Sequence, residues 1–174
     1  MRREQLFPKL INEMGIKLGV EVGVAGGLHS ANILSNSKIE KLYCIDPYPD
    51  DLYWSEEKDG NVRYEEALTR LDKWIKEGRA EVIRKTSLDV VEDFDDNSLG
   101  FVYLDGDRSA QVFPKDVSLW LSKIYIGGIL SGHDYKNKRS FKVKEMIDKF
   151  CEENNYSLNT TGGKCRSWWI VKDH

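Results

Sequence analysis

The sequence predicts an α/β protein with a doubly wound, mostly parallel seven-stranded sheet and a reversed terminal strand pair. Short apolar runs alternate with amphipathic stretches five times, which favours parallel strands with helices on both faces. Only a glycine turn separates the last two apolar runs, so these strands must be antiparallel. Because the chain has 174 residues, we expect 1–174 to form a single domain with a buried core.

The first half of the chain is expected to alternate three helices with two strands. The helices are predicted at 6–15, 28–37 and 62–77, and the strands at 18–24 and 41–49. The helix at 62–77 has the clearest pattern, because its apolar residues recur at spacings of three and four. Gly78 is expected to end it.

The second half continues the alternation and then breaks it. Strands are predicted at 80–87, 99–107 and 127–135, helices at 112–124 and 140–154, and two strands within 156–173. The strand at 99–107 is strongly apolar and is expected to be central. Trp168 and Trp169 fall on the last strand, so they should face opposite sides, with at least one in the core.

Composition and charge exclude several classes of protein. The formal net charge is −3, which does not provide the positive field of a nucleic-acid-binding protein. No apolar run approaches the roughly 20 residues of a membrane span. Cys44, Cys151 and Cys165 lack metal-binding spacing, so we expect reduced thiols and a cytoplasmic location. The sequence leaves open whether the chain forms a homo-oligomer.

The stretch "GVEVGVAGG" at 19–27 turns an apolar strand sharply into a helix. Its glycines would let backbone N–H groups approach a ligand closely. It does not match the dinucleotide pattern GxGxxG, because Ala25 takes the place of the second glycine. The carboxylate of Glu21 would disfavour a pyrophosphate and favour a cation.

The second strand ends at Asp46, about 25 residues after Glu21, where an acid commonly accepts hydrogen bonds from ribose hydroxyls. The residues therefore favour a ligand that contains a ribose and a positive centre but no phosphate. S-adenosylmethionine (SAM) has all these properties, since it carries a sulfonium and an ammonium group.

Four segments occur together in the order found in one enzyme class: "EVGVAGG", "YCIDPYP", "SLGFVYLDGDRS" and "DVSLWLSKIYIGGILSGHDY". The chain resembles class I SAM-dependent methyltransferases. More narrowly, it resembles the small-molecule O-methyltransferases grouped with macrocin O-methyltransferases and cephalosporin hydroxylase-like proteins. The resemblance covers essentially the whole chain, and the paired terminal strands fit the reversed hairpin of the class.

The resemblance implies the residues that bind the cofactor. Gly23 and Gly27, with Glu21 behind them, are expected to hold the methionine end. Asp46 is expected to bind the ribose hydroxyls, and Ser87 is expected to contact adenine. Considered alone, Asp46 would also fit a turn or a helix cap.

His29 and Ser30 lie at the start of the helix that follows the glycine turn. Ser30 is expected to cap this helix or to donate a hydrogen bond to the cofactor carboxylate. His29 is expected to be a surface or pocket-lining residue.

Asp105, His133 and Asp134 are the candidate catalytic residues. They end the fourth and fifth strands, which should be neighbours, so their side chains could converge on one point. Three hypotheses remain open for this group: the three residues bind a divalent ion such as magnesium or manganese, His133 is a general base without metal, or His133 is structural. The resemblance implies that Asp105 lies near the methyl group.

Arg108 departs from the family pattern. Where relatives commonly read Asp-Gly-Asp-His-Ser-Tyr, this chain reads "DGDRSA" at 105–110. Arginine cannot act as a base, but it could bind an anionic acceptor, or be a solvated loop charge. Tyr53 and Trp54 lie in a polar loop after the second strand, and Trp54 is a candidate wall of the acceptor pocket.

The sequence predicts O-methylation of a small-molecule hydroxyl by in-line transfer from SAM. A non-catalytic cofactor-binding module of the same fold is one alternative, and the replacement at Arg108 is its best support. A small nucleotide-cofactor oxidoreductase is another, although the missing GxGxxG pattern counts against it.

Overall fold

The computed structural model describes residues 1–50, 59–162 and 166–174. Its strands form one seven-stranded sheet in the order β3-β2-β1-β4-β5-β7-β6. The strands are β1 Leu18–Val22, β2 Lys41–Ile45, β3 Ala80–Ile83, β4 Leu99–Leu104, β5 Ile124–Gly132, β6 Asn159–Thr160 and β7 Trp168–Val171. Strands β1 to β5 pair in parallel, whereas β7 is antiparallel to both β5 and β6. The predicted mostly parallel sheet with a reversed terminal pair is confirmed.

Six α-helices cover the two faces of this sheet in the described part of the chain. They are α1 Arg3–Glu13, α2 Leu28–Asn36, α3 Gly60–Lys76, α4 Ser87–Val90, α5 Phe113–Lys123 and α6 Val143–Glu153. Apolar side chains of α1, α2 and α3 belong to one core cluster, and those of α4, α5 and α6 belong to the other. The sheet is therefore doubly wound, as predicted. The short α4 and the 3-10 helix Val91–Asp93 were not predicted.

The two tryptophans of β7 confirm the expected alternation. Trp168 is fully buried on the side of α5, where its ring meets the edge of Phe113 at 6.2 Å between centroids. Trp169 is half-buried on the other side and meets Phe7 of α1 at 6.3 Å. Successive residues of one strand thus anchor helices on opposite faces.

The carboxyl ends of the parallel strands are aligned at one edge of the sheet. Gly23 donates its N–H to Ile45 O at 2.8 Å, and Asp105 donates to Val22 O at 2.8 Å. His133 donates to Leu104 O at 3.0 Å in the same way. This register places the residues that follow β1, β2, β4 and β5 side by side. Among the described residues, no helix has the length and apolar character required to span a membrane.

Candidate active site at the carboxyl edge of the sheet

The glycine turn after β1 packs directly against the end of β4. Gly23 has a φ of 86°, and a Cβ atom there would lie 2.4 Å from the backbone carbonyl of Asp105. Only glycine can occupy this position without separating the two strands. Gly27 (φ 78°) precedes α2, and Ala25 takes the uncommon φ of 48°. The turn is thus narrow, and its conformation is strained at a residue that is not glycine.

Asp46 joins the end of β2 to this turn. Its Oδ2 accepts the backbone N–H of Ala25 at 2.9 Å, and its Oδ1 accepts that of Tyr48 at 2.8 Å. The side chain is buried, and burial raises the pKa of Asp46 although these N–H groups favour the ionised form. Each carboxylate oxygen can accept more than one hydrogen bond, so Asp46 retains lone pairs for ligand hydroxyls.

Glu21 lies behind the turn, where it faces α2. Ser30 donates its hydroxyl to Glu21 Oε2 at 2.5 Å, and His29 Nδ1 lies 3.1 Å from Glu21 Oε1. All three side chains are buried. Of the two alternatives expected for His29, a surface position is wrong, and a pocket-lining position stays a prediction. Ser30 does not cap α2 either, because its hydroxyl binds Glu21, and Gly27 occupies the capping position.

Ser87 begins α4 after β3 and belongs to a buried polar network. Its hydroxyl donates to Asp116 Oδ1 at 2.6 Å and accepts the indole N–H of Trp120 at 2.7 Å. Burial raises the pKa of Asp116 to about 6, although the hydrogen bond from Ser87 favours ionisation. The one hydrogen that the Ser87 hydroxyl can donate is thus engaged, so a hydrogen bond donated to adenine would have to come from the backbone N–H of Ser87.

Asp105, His133 and Asp134 converge as predicted. Each residue offers one atom that could bind a metal ion, an imidazole nitrogen or a carboxylate oxygen, and these atoms all lie within 4.8 Å of one another. His133 Nδ1 lies 3.6 Å from Asp105 Oδ1 and 3.5 Å from Asp134 Oδ1. Asp134 adopts a φ of 54°, so the backbone is also strained at this point. The three side chains form an acid–imidazole–acid cluster beside the glycine turn.

Three basic residues neutralise the two carboxylates of this cluster. Arg108 pairs through Nη2 with Asp105 Oδ1, and its Nε lies 3.1 Å from Asp134 Oδ2. Lys136 Nζ lies 2.6 Å from Asp134 Oδ1, and Arg3 Nη1 lies 3.4 Å from Asp105 Oδ2. The Nε contact is an ion pair without the alignment of a hydrogen bond. The sequence analysis did not identify Arg3 or Lys136 as part of the site.

A family model for a methyltransferase domain matches residues 20–135, which include the glycine turn, Asp46 and the whole cluster. The chain belongs to this methyltransferase family. The resemblance seen in the sequence motifs is thereby confirmed at the level of the family. No curated protein sequence matches the chain.

Three solved structures, two of them of O-methyltransferases, share the fold of this methyltransferase-family chain. An O-methyltransferase from Bacillus cereus in complex with S-adenosylhomocysteine (SAH) has a TM-score of 0.70 and 16% identity over 98% of this chain and 80% of its own. The O-methyltransferase TomG from Streptomyces achromogenes, in complex with SAM, has a TM-score of 0.70 and 15% identity over 98% and 79%. A Corynebacterium glutamicum protein has a TM-score of 0.74 and 17% identity over 98% and 80%.

The two acids of the methyltransferase cluster differ in their tendency to ionise. Burial raises the pKa of Asp105 above its ordinary value, and the charges of Arg108, His133 and Arg3 only partly oppose this. Burial acts in the same direction on Asp134, but hydrogen bonds from His133 and Lys136 outweigh it and lower the pKa of Asp134. Asp134 therefore remains ionised, whereas Asp105 is the more readily protonated acid.

Arg108 and Trp54 are the candidate acceptor-binding residues of this methyltransferase-family chain, and the structure describes only Arg108. Arg108 directs Nη2 and Nε at Asp105 and Asp134, so this edge of its guanidinium does not face outward for bidentate binding of an acceptor. Trp54 lies outside the described residues, as does its neighbour Tyr53.

Arg3 could not have been found from sequence spacing, because it is 102 residues from its partner Asp105. Lys136 lies only two residues after Asp134, and its position in the chain was the one available signal. Lys136 lies in a basic stretch of the sequence, and its ammonium pairs with Asp134, a residue of the candidate site.

Proposed function

We propose that the chain transfers a methyl group from SAM to a hydroxyl oxygen of a small-molecule acceptor. The observation that carries the proposal is the hydrogen bond from Ala25 N–H to Asp46, which joins the glycine turn to the expected ribose-binding acid. The family match supports methyl transfer. The structures with SAM or SAH that share the fold support this cofactor.

The residues around the turn suit a ligand with positive charge and no phosphate. The remaining lone pairs of Asp46 fit the two ribose hydroxyls, which are hydrogen-bond donors. The carboxylate of Glu21, buried behind the turn, would disfavour a phosphate there and favour a positively charged group. When bound, SAM would supply a methyl group on a positively charged sulfur, so the chain need only align the acceptor and remove its proton.

His133 is the group that we assign to proton removal. Both carboxylate neighbours lie near Nδ1, so Nδ1 carries the hydrogen in the neutral ring and Nε2 is left as the base. After Nε2 takes the hydroxyl proton, Asp105 and Asp134 would keep the ring oriented through Nδ1–H. This arrangement resembles the acid–histidine pairing that orients a general base in other enzymes.

We further propose that the acceptor is a free small molecule in the cytoplasm rather than a nucleic acid or a membrane lipid. The formal charge of −3 supports this, because phosphate-rich partners require a positive field. Metal binding by Asp105, His133 and Asp134 depends on the position of Arg108.

Calorimetry with SAH and with NAD tests the cofactor. We expect SAH to bind with a stoichiometry of one per chain and NAD not to bind. Tight binding of NAD without binding of SAH would refute the proposal and favour an oxidoreductase. Asp46→Asn should weaken SAH binding, whereas Glu40→Gln, which removes an exposed acid, should not.

A non-catalytic SAM-binding module is the second candidate, because Arg108 engages both acids of the cluster. A panel of hydroxylated acceptors, assayed by transfer of a labelled methyl group from SAM, separates the two. His133→Gln should abolish transfer and leave SAH binding unchanged if the chain is an enzyme. Binding of SAH without transfer to any acceptor would favour the module.

A further inference from the structure

The position of Arg108 bears on whether the cluster can bind a metal ion. Asp105, His133 and Asp134 supply three suitable ligand atoms within 4.8 Å of one another, so the geometry alone would fit a divalent ion. However, the guanidinium of Arg108 lies between the two carboxylates, against Asp105 Oδ1 and 3.1 Å from Asp134 Oδ2. An ion that bound both acids would need the space that Arg108 fills.

The charge of the cluster also opposes a metal ion. Two carboxylates face three basic groups, those of Arg108, Lys136 and Arg3, so no excess negative charge is present. A divalent cation placed here would be repelled by the guanidinium within a few ångströms, where charges interact strongly. Hard divalent ions bind to carboxylates whose charge is not already neutralised.

Arg108 is held in place more firmly than the other two basic residues. Its Nη1 donates to the Gly106 carbonyl at 3.3 Å, and its guanidinium lies 5.9 Å from the centre of the Phe141 ring. Lys136 and Arg3 each reach only one acid of the cluster and are slightly more exposed. Arg3 is also held by the Tyr103 hydroxyl at 3.1 Å and by Glu4, but it reaches only Asp105, whereas Arg108 is fixed by both carboxylates, a carbonyl and a ring.

We propose that Arg108 occupies the place of a divalent cation, so that this chain binds no metal at Asp105, His133 and Asp134. The guanidinium supplies a permanent positive charge beside the proposed base. Nη1 and Nη2 each use one N–H, for the Gly106 carbonyl and for Asp105, so each retains a second N–H for an acceptor oxygen that loses its proton. The role of Arg108 toward the acceptor oxygen rests on the proposed function, whereas the absence of metal binding at the cluster does not.

Manganese binding, measured by electron paramagnetic resonance of the free ion and by calorimetry, tests the proposal without any assay of activity. The wild-type chain should not bind Mn²⁺ at this cluster. Arg108→Ala should bind one Mn²⁺, with a Kd at least about tenfold below the weakest binding that the wild-type titration could detect. The reason is that a repelling charge is removed and space is opened. Arg139→Ala, which removes an exposed arginine of the same loop region, should behave as wild type.

Two further variants keep the test decisive. Arg108→Met retains the apolar stem over Phe141 and serves if Arg108→Ala does not give the far-ultraviolet circular dichroism of the folded chain. Adding Asp134→Asn to either variant should abolish the gained binding, since it removes a ligand. Binding that survives this change would show that the ion lies elsewhere and would contradict the proposal.

Two outcomes would overturn the inference directly. One is stoichiometric Mn²⁺ binding by the wild-type chain that Asp134→Asn abolishes. The other is a folded Arg108 variant that still does not bind Mn²⁺. If transfer is observed, it should also be insensitive to a chelator in the wild type. The metal-binding result stands even if no acceptor is found, so failure of the proposed function and failure of this inference are distinguishable.

Discussion

Asp116 provides a quantitative test of the buried network that contains Ser87. Asp116 is only 2% exposed, and its carboxyl accepts one hydrogen bond from Ser87. In Asp116→Asn the side chain keeps an oxygen that can accept this bond but can no longer ionise. The variant therefore isolates the free-energy cost of placing a charge at this position.

The pKa of Asp116 sets the size of the effect. Burial raises the pKa from 3.8 to about 6, and each unit corresponds to about 1.36 kcal/mol, so the full effect is about 3 kcal/mol. Because the pKa of Asp116 is higher in the folded than in the unfolded chain, protonation of its carboxyl favours the folded chain, and this contribution to the free energy of unfolding is complete below pH 4. It is lost as the pH rises through about 6.

Urea denaturation from pH 4 to pH 8 measures this contribution. The free energy of unfolding of Asp116→Asn, minus that of the wild type, should increase by up to about 3 kcal/mol across this range. Asp95→Asn, which removes an exposed carboxyl, should show no such trend. A constant difference between Asp116→Asn and the wild type from pH 4 to pH 8 would refute the argument.

Three other substitutions test the site and the core. Asp46→Asn should weaken SAH binding by about ten- to a hundredfold in calorimetry, because hydrogen bonds to a charged acceptor are lost; an unchanged affinity would exclude ribose binding by Asp46. Gly23→Ala should lower the free energy of unfolding by at least about 2 kcal/mol, since its Cβ would meet Asp105, and a stable variant would show that the turn can relax. Trp168→Ala should cost about 3–5 kcal/mol in urea denaturation, and a smaller loss would mean that the core collapses around the cavity.

The fold was largely predictable because it depends on local pattern. The apolar spacing of 62–77 predicted α3, and the short link between the last two strands predicted their antiparallel pairing. The short α4 escaped prediction because its four residues are too few to show a helical period. Strand β5 begins at Ile124, before the predicted start at residue 127, because Leu99 of β4 extends the pairing across a register shift.

The candidate site was only partly predictable, because its charges come from distant parts of the chain. The strand ends of a parallel sheet meet at one edge, so the convergence of Asp105 with His133 and Asp134 followed from the alternation of elements. The burial of His29 depends on Glu21 and on the helix α1 above it, which leave no periodic signal. The ion pairs of Arg108 likewise could not be predicted, because they depend on how the side chains are placed in space.

The position of β7 has a consequence for the order in which the enzyme is completed during synthesis. Strand β7 follows the other described elements in sequence, yet it lies between β5 and β6. Until it is made, β5 has an open edge with unpaired backbone groups, which invites pairing with other chains. The segment that carries His133 and Asp134 gains its hydrogen bond from Tyr135 N–H to Arg166 O only with this late segment. A ribosome-bound nascent chain that stops before β7 would therefore have the strands that hold the glycine turn and Asp46, while the segment with His133 and Asp134 would still lack this hydrogen bond.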